Sequence, residues 1–329
     1  MQIDIVIPCY RVSAQIIGVV TQTLRQHQVR NIIVVDDGCP EHSGQVVRSH
    51  FPDESRVAVI EHKTNQGVGG AVLSGYARAF AHGADAVVKI DGDGQMDPQL
   101  IPLLLAPMLQ GKADYTKGNR FFNPKHLDGM PRRRLFGNAM LSLVNKFSSG
   151  YWSIMDPTNG FTALHQAAYR QLDTESLDRG YFFENDMLFQ LGIANAVVLD
   201  VPMLPRYRGE TSSLNIPQVM LEFPGKYLNR FLKRLGFKYF VREFNIASLE
   251  IICGIPAIIA GLAYGIYNWV AHMRLGEATS AGTVMIVGLL LLMGFQLLLS
   301  AVNYDITHEP KIPLAQNTKP SPSQKSWAE

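Results

Sequence analysis

The sequence predicts an α/β domain with a mostly parallel sheet, followed by a two-helix transmembrane hairpin. Three observations carry this. Over residues 1–215, short apolar runs alternate with segments of helical period. Near the C-terminus two stretches, about 251–271 and 284–302, contain no Lys, Arg, Asp or Glu, and each is close to the ~20 residues that cross a hydrocarbon core. The 329 residues are 47% apolar and 18% charged, which supports a large core and is sparse in charge for a wholly soluble chain.

The elements follow in order. IDIVIPCY is a short apolar run that ends at Pro8 and reads as a strand and turn. VSAQIIGVVTQTLRQH has helical spacing, NIIVVDDG is a buried strand closing on two acids and a glycine, and VAVIEH is a third strand. Gly67 to His82 reads as a helix after a glycine-rich turn, and ADAVVKIDGDG is a fourth strand, again ending in acids. Strands alternating with helices imply a sheet covered on both faces, with ligands at the carboxyl ends of the strands. Pro8 to Tyr10, Asp36 to Gly38 and Asp91 to Gln95 fall at such ends.

The chain divides by composition into a globular domain over 1–215, a basic amphipathic segment over 216–246, a membrane region over 247–304 and a polar tail over 305–329 expected to be disordered. On a helix, Phe223, Tyr227, Phe231 and Leu235 share a face with Leu228 and Leu232, and Lys226, Arg230, Lys233 and Arg234 gather opposite. Such a helix lies on anionic lipid or packs on the globular domain with its basic face in solvent. Lys226, Arg230, Lys233, Arg234, Lys238 and Arg242 precede the first span, whereas the loop between the spans has only Arg274. The positive-inside rule then places the globular domain and both termini in the cytosol.

A net charge of +2 gives no electrostatic case for a nucleic-acid partner. Cys9, Cys39 and Cys253 form no CxxC pair, which argues against a disulfide framework or a zinc site. The start of the sequence lacks the basic residues and long apolar run of a signal peptide.

Asp91 and Asp93, two residues apart on a glycine-containing turn, offer the hard oxygen ligands that Mg²⁺ or Mn²⁺ takes, and Gln95 offers a third. The alternative is an Asx-type turn without metal. Asp36 and Asp37 suit a nucleotide's ribose or base, or cap a loop. Residues 65–70 fail the dinucleotide fingerprint, since Val72 stands where Gly or Ala is needed, yet a helix N-terminus open to close backbone approach remains. Asp156 is a base or a turn cap. Glu184 is a first-turn acid. Arg120, the run Arg132, Arg133 and Arg134, and Arg206 and Arg208 form a solvated face or a phosphate-binding set.

IVIPCY, VVDDG, NQGVGGAVLSGY, KIDGDGQMDP, GNRF, RRRLFGN, DPTNGF, FFENDM and RYRGETSSL occur in this order. Together with the two spans they resemble family 2 glycosyltransferases of the GT-A fold, a Rossmann-like architecture. More narrowly they resemble polyprenyl-phosphate glycosyltransferases, such as dolichyl-phosphate mannose synthases and undecaprenyl-phosphate glucosyltransferases. The resemblance implies transfer of a sugar from a nucleotide sugar, such as UDP-glucose or GDP-mannose, to a polyprenyl phosphate at the cytoplasmic membrane. It implies a divalent metal, Mg²⁺ or Mn²⁺, on Asp91 and Asp93 with Gln95 beside them. It implies donor contacts from Pro8, Tyr10, Asp36, Asp37 and Asp91, and a catalytic role for Asp156 and Asp93. Arg120 and Arg134 match the acceptor-phosphate residues, and Arg208 and Ser212 match a donor-phosphate element that Thr211 and Ser213 interrupt. A homo-oligomer, a tetramer, through the transmembrane region is also implied. The rival readings are a transferase with a saccharide acceptor, which predicts a QxxRW motif that this sequence lacks, and a non-catalytic membrane scaffold.

Overall fold

A computed structural model describes residues 1–122, 132–203 and 216–317, without the side chains of 132–136 and 216–220. Arg206, Arg208 and Ser212 therefore lie outside the described residues, as does the side chain of Arg134. The chain forms two units. One is Met1–Phe231 joined by the chain from Pro310 onward, and the other is Leu232–Glu309.

The first unit runs β1 (Ile3–Cys9), α1 (Ile16–Leu24), β2 (Val29–Asp36), α2 (Ser43–His50), β3 (Val57–Glu61), α3 (Gly67–Ala81), β4 (Ala86–Lys89), α4 (Ile101–Leu109), β5 (Tyr115–Asn119), α5 (Arg132–Ser149), β6 (Thr162–His165), α6 (Gln166–Tyr169), α7 (Phe183–Ala194) and β7 (Val198–Pro202), and continues into α8 (Ile216–Gly236). Seven strands form one sheet in the order β3-β2-β1-β4-β6-β5-β7. Only β6 is antiparallel to its neighbours β4 and β5.

Both faces of the sheet are covered, which is why its strands read as continuous apolar runs rather than alternating ones. In β1, Ile3, Ile5, Ile7 and Cys9 enter one core with α1 and α4, and Val6 enters the other with α3 and α7. Asp4, the one acid in this run, is buried and held by the Arg30 guanidinium at 2.7 and 2.8 Å. The register places Cys9 opposite Asp36 and Val6 opposite Lys89, so β1, β2 and β4 end near one another. Because β6 is antiparallel, its first residue Thr162 pairs with Lys89. The loop entering β6, residues 156–161, is thereby delivered to the carboxyl end of β4.

The second unit is dominated by α9 (Ile246–Leu275) and α10 (Ala281–Thr307), with mean hydropathies of 2.1 and 2.4 in their most apolar windows. Both are long and apolar enough to cross a membrane, and they extend several residues beyond the two charge-free stretches. A Cβ on Gly254 would stand 3.1 Å from the Gly294 carbonyl, and one on Gly294 would stand 2.9 Å from the Gly254 carbonyl. Further along α9, Gly261 meets Leu290 and Leu291, and Gly265 meets Val287. Partners that fall in number as α9 rises make the pair antiparallel, and small residues allow the backbones this approach. Most of the remaining apolar side chains of both helices point outward.

The basic segment before the hairpin is less solvated than its sequence implies. Lys226 bonds Asp178 at 2.6 Å, and Arg230 grips Asp186 at 2.6 and 2.9 Å, both within the first unit. Phe223 and Tyr227 pack on Phe182. In the second unit Arg234 and Lys238 converge on buried Asp305, which also accepts the Tyr239 hydroxyl at 2.6 Å. The acids that neutralise four of the six basic residues lie between 44 and 71 positions away in sequence. Exposed Leu221, Leu228 and Leu232 occupy the outer face of α8.

The tail expected to be disordered from 305 carries structure over its described residues, 305–317. Asp305 belongs to α10, and Leu314–Asn317 forms a short helix, α11. The N–H groups of Leu314 and Ala315 donate to buried Asp114 at 2.9 and 3.1 Å. Polar composition alone misses this, because one carboxylate inside the first unit supplies the anchor.

Candidate active site

The turn after β4 carries Asp91, Asp93 and Gln95. Asp93 Oδ1 accepts the Gln95 N–H at 2.9 Å, and this bond closes the turn. Asp91 Oδ1 lies 2.8 Å from Lys89 Nζ, close enough for an ion pair but out of line for a hydrogen bond. The same ammonium donates to Glu184 Oε1 at 3.0 Å. Lys89 is 1% exposed. Burial works against its charge, but Asp91 and Glu184 outweigh that and hold the ammonium above its ordinary range. The alternation of β4 points Lys89 and Val87 to the same face, and Val87 sits in the core formed with α3 and α7. Glu184 reaches it from the first turn of α7.

The residues at 91–95 fit a hard divalent cation. Two carboxylates and an amide oxygen are its preferred donors, and such ions complete their shell with substrate phosphates. Among the described residues no three His, Cys, Asp or Glu side chains gather into a closed cage.

Asp156 is fully buried. Both its oxygens accept from Arg120, Nε to Oδ2 at 2.7 Å and Nη2 to Oδ1 at 2.9 Å, and the Arg120 N–H adds a third bond at 3.2 Å. The structure thus joins two residues 36 positions apart that the sequence placed in separate roles. Both carboxylate oxygens are taken up by one guanidinium, which they hold in place. Arg120 keeps 28% of its side chain exposed.

Asp36 and Asp37 are buried and committed to the chain's own backbone. Asp36 accepts the N–H groups of Cys39 and Gly44 at 2.7 and 2.6 Å. Asp37 accepts those of Gln66 and Gly67, both at 2.8 Å, and bonds His62 at 2.7 Å. The N-terminus of α3, read from sequence as open to close backbone approach, is therefore occupied by Asp37 and by the Arg179 carbonyl, which accepts the Gly69 N–H at 2.8 Å. These two acids shape the loops around the strand ends. Pro8 is buried in β1, and Tyr10 follows it with 40% of its surface exposed. Arg134 lies in the first turn of α5.

Two buried groups were not legible as site residues. Lys117 of β5 donates to the Asn159 carbonyl, and burial pushes its ammonium down to about 8 against the pull of Glu184 and Asp156. Asp200 of β7 accepts from Asn119 Nδ2 and the Met155 N–H, both at 2.9 Å and both through Oδ2. Its Oδ1 is buried without a partner. Burial raises its carboxyl from 3.8 to about 6, with the Met155 N–H and Lys117 opposing. Between these values the unfolded chain has released a proton that the folded chain retains, so Asp200 makes stability fall as pH rises from about 4 to about 6. Asp200→Asn keeps an acceptor for both bonds and removes the titration. Thermal melts of the variant between pH 4 and 7 are expected to gain on the wild type as pH rises. A constant difference across that range would mean that Asp200 does not titrate there.

The comparisons with known proteins bear on this geometry. The model of glycosyl transferase family 2 matches residues 4–173. The chain is 30% identical over 191 residues to the UDP-N-acetylglucosamine–dolichyl-phosphate N-acetylglucosaminyltransferase of Methanococcus voltae, covering 54% of this chain and 75% of that protein. It is 27% identical over 174 residues to the undecaprenyl-phosphate mannosyltransferase of Micrococcus luteus, covering 53% and 70%. Among solved structures, mannosyl-3-phosphoglycerate synthase from Rubrobacter xylanophilus superposes with a TM-score of 0.53 at 18% identity, over 74% of this chain and 77% of that one. At that identity the likeness shows the fold, which is of the GT-A type.

Proposed function

Because the chain belongs to glycosyl transferase family 2, we propose that it is a membrane-bound, inverting transferase that moves a sugar from a nucleotide-sugar donor to a polyprenyl phosphate. One observation carries the reading. The oxygen-rich turn at 91–95 and the Arg120 guanidinium fixed by Asp156 lie at the same carboxyl edge of the sheet, in a chain that also bears two apolar helices of spanning length. The two relatives named above act, by their names, on dolichyl and undecaprenyl phosphate.

Asp91, Asp93 and Gln95 would hold a divalent cation, Mg²⁺ or Mn²⁺, whose chemistry is to neutralise charge on the departing diphosphate. Tyr10 and the loops shaped by Asp36 and Asp37 border the nucleotide. Arg120, and Arg134 from α5, hold the acceptor phosphate with one oxygen aimed at the sugar C1 from the face opposite the leaving group, which inverts that carbon. Guanidinium groups suit this through charge-assisted, bidentate bonds. A phosphate monoester is already ionised near neutral pH, with its second pKa at about 6. No base is then required, and Asp156 orients Arg120. Its contribution is positional.

Helices α9 and α10 cross the membrane as a hairpin, which anchors the enzyme where its acceptor resides and leaves both termini in the cytosol. With Cys9, Cys39 and Cys253 replaced, a cysteine at Thr279 is expected to react with an impermeant maleimide added outside intact cells. Labelling only after lysis would contradict this topology. The function itself is tested by incubating the purified full chain with a panel of nucleotide sugars and with undecaprenyl or dolichyl phosphate, read by mass spectrometry. A glycosylated lipid phosphate is the expected product. Sugar transfer to saccharides only, or no transfer with any donor, overturns the reading.

A further inference from the structure

We infer that Lys89 is a positioning residue of the donor site, whose buried ammonium locks Asp91 of the 91–95 turn to Glu184 of α7. The inference rests on the reading that this turn carries a divalent cation with a nucleoside diphosphate.

The geometry has three parts. The ammonium sits 2.8 Å from Asp91 Oδ1 and 3.0 Å from Glu184 Oε1. It thus ties the end of a strand to the start of a helix 95 residues later. Oδ1 of Asp91 is the oxygen that faces the ammonium, and this ion pair restrains the carboxylate. The loop entering β6 then closes over the pair. A Cβ on Gly160 would lie 2.7 Å from Asp91 Oδ2 and nearer still to Lys89 Nζ, so any other residue there would push these two side-chain ends from their places. Glycine at this position in DPTNGF therefore accompanies lysine two residues before the first acid of DGD.

A lysine is a costly way to fill a core position. Burying an ammonium is unfavourable unless it is paired on more than one side. Asp91 and Glu184 meet that condition, and without the lysine they would be two carboxylates with nothing between them. The arrangement delivers a carboxylate already held in one orientation, so that it need not be ordered when the donor arrives.

The consequence has a sign that distinguishes positioning from simple charge. On charge alone, removing a cation 2.8 Å from a metal-binding carboxylate tightens a divalent ion. If orientation dominates, the same change weakens it. The experiment uses the purified full chain and follows free Mn²⁺ by electron paramagnetic resonance as protein is titrated, with UDP or GDP present. Lys89→Met is expected to weaken nucleotide-dependent Mn²⁺ binding at least tenfold. The double variant Lys89→Met with Glu184→Gln removes one charge of each sign from the cluster. It is expected to return to the wild-type melting temperature while Mn²⁺ binding stays weak. Binding by Lys89→Met that is unchanged or tighter overturns the inference. So does recovery of binding in the double variant, which would make Lys89 a mere charge balance, and so does failure of both variants to fold, which would make it a core residue. If the wild type binds no Mn²⁺ with either nucleotide, the reading of the turn fails and the inference fails with it. If the wild type binds and Lys89→Met binds equally, only the role of Lys89 is lost.

Discussion

Asp93→Asn lowers turnover by about 10²- to 10³-fold, the range seen when one group that stabilises developing charge is removed, and leaves the fold in place. The argument for the fold is local. Asp93 holds its turn through Oδ1, which accepts the Gln95 N–H at 2.9 Å. An asparagine keeps that oxygen. Asp93 is partly exposed, so the substitution falls outside the buried core, where the large losses of stability arise. The argument for the activity is charge. The amide no longer offers an anionic ligand, and the departing diphosphate loses part of its neutralisation. Nucleotide-dependent Mn²⁺ binding falls together with turnover, and excess EDTA stops the wild-type enzyme. Full activity of Asp93→Asn in Mg²⁺, or undiminished wild-type turnover in EDTA, removes this turn from the mechanism.

The turn was legible in sequence because its signal is local: acids at i and i+2 directly after a buried strand. The parallel order of β1 to β4 was legible for the same reason, since each strand is a run of apolar residues closed by a polar end. The pairings across the site were not. Nothing near Lys89 announces Glu184, because strand alternation marks position 89 only as a core position. Asp156 and Arg120 each carried an independent role in sequence, and the antiparallel entry of β6 is what brings one to the other. Asp36 and Asp37 looked like ligand contacts because acids at strand ends often are. Their oxygens accept from backbone donors between 3 and 30 residues further along the chain, and Asp37 also bonds His62. The basic stretch before the hairpin had the composition of a lipid-facing helix, yet four of its charges meet carboxylates fixed elsewhere in the fold. In each case the missing information was the far partner, which composition and period do not encode.

Arg120→Ala costs stability as well as activity, and the two losses separate. Asp156 has no exposure to water and keeps only the Arg120 backbone N–H when the guanidinium is removed. Breaking a buried pair by deleting one partner costs roughly 3–5 kcal/mol. For a domain of this size that lowers the melting temperature by roughly 10 °C. Asp156→Ala placed on top of Arg120→Ala removes the stranded carboxylate, and with it the cost of a buried charge that has lost its partner. The double variant therefore recovers most of the melting temperature. It does not recover transfer if, as proposed, Arg120 holds the acceptor phosphate. Its kcat/KM for polyprenyl phosphate stays about tenfold or more below wild type, an effect of at least ~1.4 kcal/mol, while nucleotide-dependent Mn²⁺ binding is retained. Arg120→Lys preserves charge without the planar fork and restores only part of either property. Melting curves and steady-state kinetics with each substrate varied separately read both quantities. A double variant that regains wild-type kcat/KM for the lipid would reduce the Arg120–Asp156 pair to a structural brace. One that stays as unstable as Arg120→Ala would show that the stranded carboxylate was never the cost.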